Sequence, residues 1–180
     1  MESYLKQKLI ETVLYVLRKT GGVDKYHLFK ILYFADRSSL AAEGLRIVED
    51  DFKALQYGPV PDKLYGAMRH NGYGDPELIQ IFNSAVEVAG DDANNILLAK
   101  RDPNMDYIAP VAIRFLDESI EENKNLTFQE LIVKSHDKAW ENAKNAIPNI
   151  LSPVDMAEAG GCSREFLEYV REMVEIDCLS

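Results

Sequence analysis

The sequence is poor in cysteine and has no long uninterrupted hydrophobic run. Cys162 and Cys178 are the only cysteines in 180 residues, and two thiols do not form the disulfide framework of a small secreted domain. No stretch approaches the roughly 20 apolar residues that cross a bilayer. The N-terminus mixes Glu2, Lys6 and Lys8 with its apolar residues, unlike a signal peptide. We expect a soluble, unexported protein of the reducing cytoplasm, with no membrane partner.

Positive charge is also scarce. Lysine and arginine total 20 residues against 30 of aspartate and glutamate, which gives a net charge of −10. Such a field repels phosphate backbones and attracts basic proteins. Nucleic acid is therefore an unlikely partner, although a local basic stripe could still touch DNA.

Sequence motifs of catalysis and of cofactor binding are missing. The glycine pairs Gly21–Gly22 and Gly160–Gly161 lack the lysine and hydroxyl of a phosphate loop, and no His, Cys, Asp or Glu spacing matches a zinc or calcium site. Ser135, His136 and Asp137 are consecutive, so they cannot converge as nucleophile, base and orienting acid. We expect no catalytic residue, no metal and no cofactor.

The residues present predict one mainly helical domain over positions 1–180. Hydrophobic residues make up 47% and charged residues 28% of the chain, which are ordinary globular values. Helical periodicity recurs along most of the chain, whereas three short runs have β character near residues 52–57, 85–88 and 95–99. The predicted fold class is α+β, mainly helical, with a small antiparallel sheet of about three strands.

The segment after Asp24 predicts a central helix, because its apolar side chains cover more than half of the circumference. The remaining arc carries Lys30 and Arg37 beside aromatic rings that include Tyr33. Cations next to aromatic rings are enriched at binding hot spots. The alternative is that the rings are core residues and the cations are solvated.

Asp36 lies on the apolar side of this helix. An unpaired buried carboxylate costs several kcal/mol, so we predict a basic side chain or backbone amides beside it. Its role is then structural, with a catalytic or binding role as the alternative.

A short strand from Asp51 to Tyr57 is predicted to break at Gly58–Pro59. Pro61 suits the first turn of a following helix, because a proline's missing amide is not needed there. Two prolines at alternate positions predict a rigid turn. Tyr57 either packs over Pro59 or is an exposed anchor for a partner. Further along, His136 is expected to pack or cap near Trp140, with partner binding as the alternative.

Together these residues resemble the signature of the Panacea domain family, also called the SocA-like antitoxin domain or phage-associated protein family. The resemblance is clearest over residues 5–145, and 146–180 is a helical extension. The residues that carry it are Lys30, Tyr33, Phe34, Ala35, Asp36, Arg37, Asp50, Asp51, Ala54, Tyr57, Gly58, Pro59, Val60, Pro61, Leu64, Tyr65, Ser135, His136 and Trp140.

The resemblance implies an antitoxin that binds and neutralises a toxin encoded beside it, by masking the toxin or by delivering it to a cellular protease. Candidate contact residues combine the motif with an interface composition, and they are Lys30, Tyr33, Arg37, Tyr57 and Pro59. The residues expected to be structural are Asp36, Asp51, Gly58, Pro61, His136 and Trp140. Two alternatives stay open: a phage or mobile-element module that binds a host protein, and a small hydrolase that uses Asp36 or His136.

Overall fold

Helices form most of the structure, a computed structural model that describes residues 2–69, 74–90 and 95–177. Its helices are α1 (Ser3–Thr20), α2 (Lys25–Glu43), α3 (Asp62–Met68), α4 (Pro76–Ala85), α5 (Pro110–Asn123), α6 (Phe128–Ser135), α7 (Lys138–Ala143), α8 (Pro153–Ala159) and α9 (Arg164–Asp177). Its strands are β1 (Phe52–Leu55), β2 (Gly58–Pro61), β3 (Val86–Ala89) and β4 (Ile96–Ala99), and residues Met105–Tyr107 form a 3₁₀ turn. The predicted class, an α+β and mainly helical single domain, is confirmed.

Helix α2 occupies the centre of the fold, as its wide apolar stripe predicts. The Asp24 carboxylate caps its start by accepting hydrogen bonds from the amides of Tyr26 (2.8 Å) and His27 (3.0 Å). The helix packs mainly against α5 and α8. At the α8 contact, an added Cβ on Gly160 would lie 2.7 Å from the Ala41 side chain. Close approach therefore requires glycine at this position.

Two separate hairpins replace the predicted three-stranded sheet. β1 pairs with β2 and β3 pairs with β4, both antiparallel, so the predicted pairing between the two groups of strands is wrong. Residues 149–151 instead lie along the edge of β1 that faces away from β2, where Leu151 N–H donates to the Phe52 carbonyl (2.8 Å). On the other hairpin, Val23 bridges to Leu97.

The prediction that Gly58–Pro59 ends the strand is also wrong, because these residues begin β2. Pro59 pairs with Ala54 and Pro61 with Phe52, whereas Val60 pairs with Lys53. In an antiparallel pair only alternate residues exchange backbone hydrogen bonds, so the two prolines occupy positions whose amides the hairpin does not use. A proline also prevents further pairing at that edge.

Capping residues in the sequence predict several helix starts. Thr127, followed three residues later by Glu130, predicts a capping box, and α6 opens with it. Ser152 and Ser163 are also predicted to start helices: α8 begins after Ser152, and Ser163 Oγ accepts a hydrogen bond from the Phe166 amide (3.2 Å) at the start of α9. Residues 45–48 contain no strand. The helix end predicted at Asn71–Gly72 lies outside the described residues.

Candidate functional site

The turn of the first hairpin brings one residue of the motif, Tyr57, to the surface. Register places Leu55 opposite Gly58, so Gln56 and Tyr57 form a two-residue loop. The Tyr57 side chain is 44% exposed, which answers one open question from the sequence: Tyr57 stands out from the turn. A rigid loop tip is where binding residues commonly occur.

Three aromatic rings meet at this turn, and we call Tyr26, Tyr57 and Phe128 the ring surface. The ring centroids of Tyr26 and Phe128 lie 4.9 Å apart, those of Tyr57 and Phe128 5.6 Å, and those of Tyr26 and Tyr57 6.4 Å, all in edge-on orientations. Such geometry is favourable for aromatic pairs. Phe128 is 41% exposed, so the cluster leaves a large apolar area facing solvent.

Lys30 supports the turn from below. Its side chain is only 2% exposed, and its Nζ donates a hydrogen bond to the Pro59 carbonyl (2.8 Å). None of the ion pairs in the described part of the chain includes Lys30. Burial lowers the pKa of this amine from 10.5 to about 7, because burial disfavours the charged form.

Gly58 completes the close packing between the turn and its support. Its φ of +96° lies in the left-handed region, which residues other than glycine rarely adopt. An added Cβ would also lie 2.4 Å from Ser135 Oγ and 3.0 Å from the Lys30 Nζ. Conformation and space therefore both require glycine here.

His136 and Trp140 support the other side of the turn. Their rings stack with centroids 3.7 Å apart and planes 3° from parallel, so the predicted packing of His136 near Trp140 is confirmed. Trp140 Nε1 donates to the Leu55 carbonyl (2.9 Å). Burial and the Lys30 charge lower the pKa of His136. The Nε2 atom of His136 is buried and has no hydrogen-bond partner.

A second polar group ties α2 to α7. The Tyr33 hydroxyl and Arg37 Nη1 both donate to Asp137 Oδ2, each at 2.7 Å, while Asp137 Oδ1 accepts from the Trp140 amide at 3.1 Å. Tyr33 is fully buried, and burial, with the Asp137 charge, raises its pKa. This group positions the helix that carries Trp140.

The predicted partners of Asp36 are present. Asp36 is fully buried and accepts from the amides of Ile47 (2.7 Å) and Val48 (3.0 Å) and from Arg46 Nε (3.3 Å). Arg46 also bonds to Asp51 Oδ1 at 3.1 Å. Burial raises the pKa of Asp36, and the Arg46 guanidinium acts in the opposite direction. The arrangement holds the loop after α2 against the core.

The five candidate contact residues therefore occupy two layers. Tyr57 is exposed and the Arg37 side chain is 17% exposed, whereas Lys30, Tyr33 and Pro59 are buried. Direct contact of the five residues with a partner stays a prediction. Lys30, Tyr33 and Pro59 are buried, so they can affect a partner only through the exposed residues that they hold in place.

Tyr26 and Phe128 were not predicted from the sequence to lie beside Tyr57. No local signal joins positions that are 31 to 102 residues apart, so only the tertiary fold shows the ring surface.

In residues 2–69, 74–90 and 95–177, no group of three His, Cys, Asp or Glu side chains could hold a metal ion. The helices of the same ranges include none with the length and apolarity needed to span a membrane.

An exposed aromatic cluster on a rigid turn, in a mainly helical domain, is typical of a protein-binding module. A family model described as antitoxin SocA-like, Panacea domain, matches residues 28–141. The match covers well over half of the chain, and the chain belongs to this antitoxin family. No curated protein and no solved structure matches the chain.

Proposed function

We propose that this protein is the antitoxin of a toxin–antitoxin pair and that it neutralises its toxin by binding it directly through the ring surface. Membership of the SocA-like antitoxin family supports a toxin partner in general terms. The observation that carries the specific proposal is the exposure of Tyr57 and Phe128 within one packed aromatic cluster.

The ring surface has the composition of a binding hot spot. Tyrosine and tryptophan are enriched among residues whose removal weakens protein complexes most, and aromatic side chains offer large contact area with few rotatable bonds. Burying two or three such rings against a partner provides several kcal/mol of the hydrophobic contribution.

Two hydrogen bonds under the turn hold it in its conformation before a partner binds. The Leu55 carbonyl is held by Trp140 and the Pro59 carbonyl by Lys30, so both sides of the two-residue loop are fixed before a partner arrives. A surface that is already ordered loses less conformational entropy on binding. The buried motif residues thus contribute to affinity without touching the toxin.

The net charge of −10 favours a basic toxin. Opposite net charges accelerate encounter and suppress wrong partners, and the effect weakens as salt rises. We propose a stoichiometric mechanism without turnover, in which the antitoxin masks the working face of the toxin. Presentation of the toxin to a cellular protease is the second form of the same mechanism, since it begins with the same contact.

Co-expression with the small protein encoded next to it tests the proposal. The wild-type chain should restore growth and co-purify with that protein at a fixed ratio. Tyr57→Ala should reduce both, while the matched control Tyr169→Ala, which removes a ring that is 45% exposed on α9, should leave both unchanged. Repeating the growth assay in a protease-deficient host separates masking from delivery.

Three results would contradict the proposal. No complex with any adjacent small protein and no rescue of growth would refute the antitoxin function. Equal effects of Tyr57→Ala and Tyr169→Ala would refute the ring surface as the contact. Capture of a host protein in place of a toxin would favour the mobile-element alternative.

A further inference from the structure

His27 links the two helices that carry the ring surface. Its Nδ1 lies 2.6 Å from Asp24 Oδ2, and its Nε2 lies 2.7 Å from the Leu126 carbonyl oxygen. The side chain is 18% exposed. One imidazole therefore bridges the cap of α2 and the residue that precedes the cap of α6.

Both partners of this imidazole are hydrogen-bond acceptors. A neutral histidine has one N–H, so it can donate to only one of the two oxygens and must turn a lone pair toward the other. The imidazolium has two N–H groups and satisfies both. The site thus selects the protonated form by geometry.

The link acts at the base of the ring surface. Asp24 Oδ1 caps the amide of Tyr26 while Oδ2 faces His27, and Leu126 is two residues before Phe128 along the chain. The rings of Tyr26 and Phe128 are the closest pair of the surface, with centroids 4.9 Å apart. His27 therefore contacts the starts of both helices whose rings touch.

We propose that protonated His27 is a positioning residue of the ring surface, holding Tyr26 against Phe128, and that partner binding through this surface weakens as His27 loses its proton. The second part rests on the proposed function, whereas the first part concerns the chain alone.

The charged group close to His27 raises its pKa. Hydrogen bonding to Asp24 raises the pKa of His27 above the ordinary 6.5, and its charge adds to this effect. The connection between α5 and α6 presents a carbonyl to the ring, and its charged side chains have other partners: Lys124 pairs with Glu121 and Glu130 accepts from Thr127.

On α2 itself, the Lys25 ammonium lies over the Tyr26 ring at 5.2 Å from its centroid. Among the described residues, Asp24 is thus the one ionised group hydrogen-bonded to His27.

These contacts determine how the stability of the His27 link changes with pH. Because the folded-state pKa of His27 is raised, the stabilisation by its two hydrogen bonds is fully present below pH 6.5 and is lost as pH rises through the folded-state value. If partner binding requires the His27 link, loss of one hydrogen bond to a charged group reduces affinity for the partner about tenfold.

The test is an NMR pH titration of the full chain without any partner. The His27 imidazole should titrate with a midpoint above 6.5, and the ring signals of Tyr26 and Phe128 should shift with the same midpoint. Asp24→Asn retains an oxygen for the helix cap and removes the negative charge, so it should lower the His27 midpoint. His27→Gln should abolish the ring shifts in that pH range.

Ring signals that do not follow the His27 midpoint would overturn the positioning role, and so would a His27 midpoint at or below 6.5. Since no partner is present, these results are independent of the antitoxin assays. If the co-expressed toxin is bound, its affinity for wild type should fall about tenfold across the same pH range and stay constant for His27→Gln. Equal pH dependence of the two proteins would refute the regulatory part.

Discussion

Replacing Lys30 by methionine should stabilise the protein at neutral pH. Methionine retains the unbranched aliphatic stem and removes the amine, whose burial lowers its pKa from 10.5 to about 7. Natural sequences rarely retain such an amine in a core. Its position under the Tyr57 turn accounts for it, because Nζ holds the Pro59 carbonyl.

The magnitude follows from the pKa. At about 1.4 kcal/mol per pKa unit, the difference between 10.5 and about 7 corresponds to roughly 4 to 5 kcal/mol that disfavours the folded state below pH 7. Lys30→Met also leaves the Pro59 carbonyl without its donor, which costs about 1 to 3 kcal/mol. The net stabilisation at neutral pH is then about 1 to 4 kcal/mol.

The sign changes with pH in a defined way. Between pH 7 and 10.5 the unfolded chain binds the Lys30 proton and the folded chain does not, so wild-type stability rises with pH. The variant lacks this contribution. The advantage of Lys30→Met over wild type should therefore shrink by about 3 kcal/mol between pH 7 and pH 10.

Urea denaturation at about pH 7, pH 8.5 and pH 10, followed by circular dichroism, measures these free energies of unfolding. Lys138→Met is the matched control, since Lys138 is exposed on α7, and it should change stability by less than about 0.5 kcal/mol at every pH. A Lys30→Met advantage that is the same at pH 7 and pH 10 would refute the buried-amine argument. Co-expression of the same variant then shows whether the Lys30 hydrogen bond matters for binding.

Two further substitutions test the support of the site. Gly58→Ala should destabilise the protein by about 2 to 4 kcal/mol because of backbone strain and overpacking. Gly161 also has a positive φ, +89°, but an added Cβ there meets open space, so Gly161→Ala should lower the melting temperature clearly less. Equal losses of stability in thermal melts of the two variants would contradict the packing argument. Asp36→Asn should cost about 1 to 3 kcal/mol, because the new amide N–H group faces the Arg46 Nε–H donor in a buried site. Asp51→Asn, at a side chain that is 48% exposed, should cost under about 1 kcal/mol in the same denaturation assay. Similar values for the two variants would contradict a buried role for Asp36.

Local signals in the sequence predicted the helical part of the fold. Capping residues such as Asp24 and Thr127 marked helix starts because their side chains satisfy amides within three residues. The apolar circumference of α2 predicted its central place, and the apolar position of Asp36 predicted a buried carboxylate with partners. Each of these inferences depends on neighbours in sequence.

The strand pairing could not be predicted in the same way. The β-type runs carry no local mark of their partner, and the edge of β1 is occupied by residues 149–151, almost a hundred positions away. Gly58–Pro59 suggested a broken strand and Pro61 suggested the first turn of a helix, although hairpin register makes both proline amides unnecessary. Register depends on the turn, and Gly58 in that turn packs against Ser135 and Lys30, which are distant in sequence.

The candidate site was predicted in part. Tyr57 was named from its place in the motif, and the structure shows that it is exposed. Lys30 and Tyr33 were grouped with it because they combine the family motif with an interface composition, yet their burial turns them into supports. Phe128 and His27 were missed because their relation to Tyr57 and Leu126 exists only after α6 packs on α2.

The most direct test of the central claim is calorimetric titration of the purified chain with the protein encoded beside it. Binding should be saturable at a fixed stoichiometry, weaken with added salt, and lose about 2 kcal/mol or more of binding free energy in Tyr57→Ala, as expected of a hot-spot residue, while Tyr169→Ala matches wild type. Heat-silent mixing with no complex, or identical affinities for both variants, would contradict the assignment of this surface as the toxin contact.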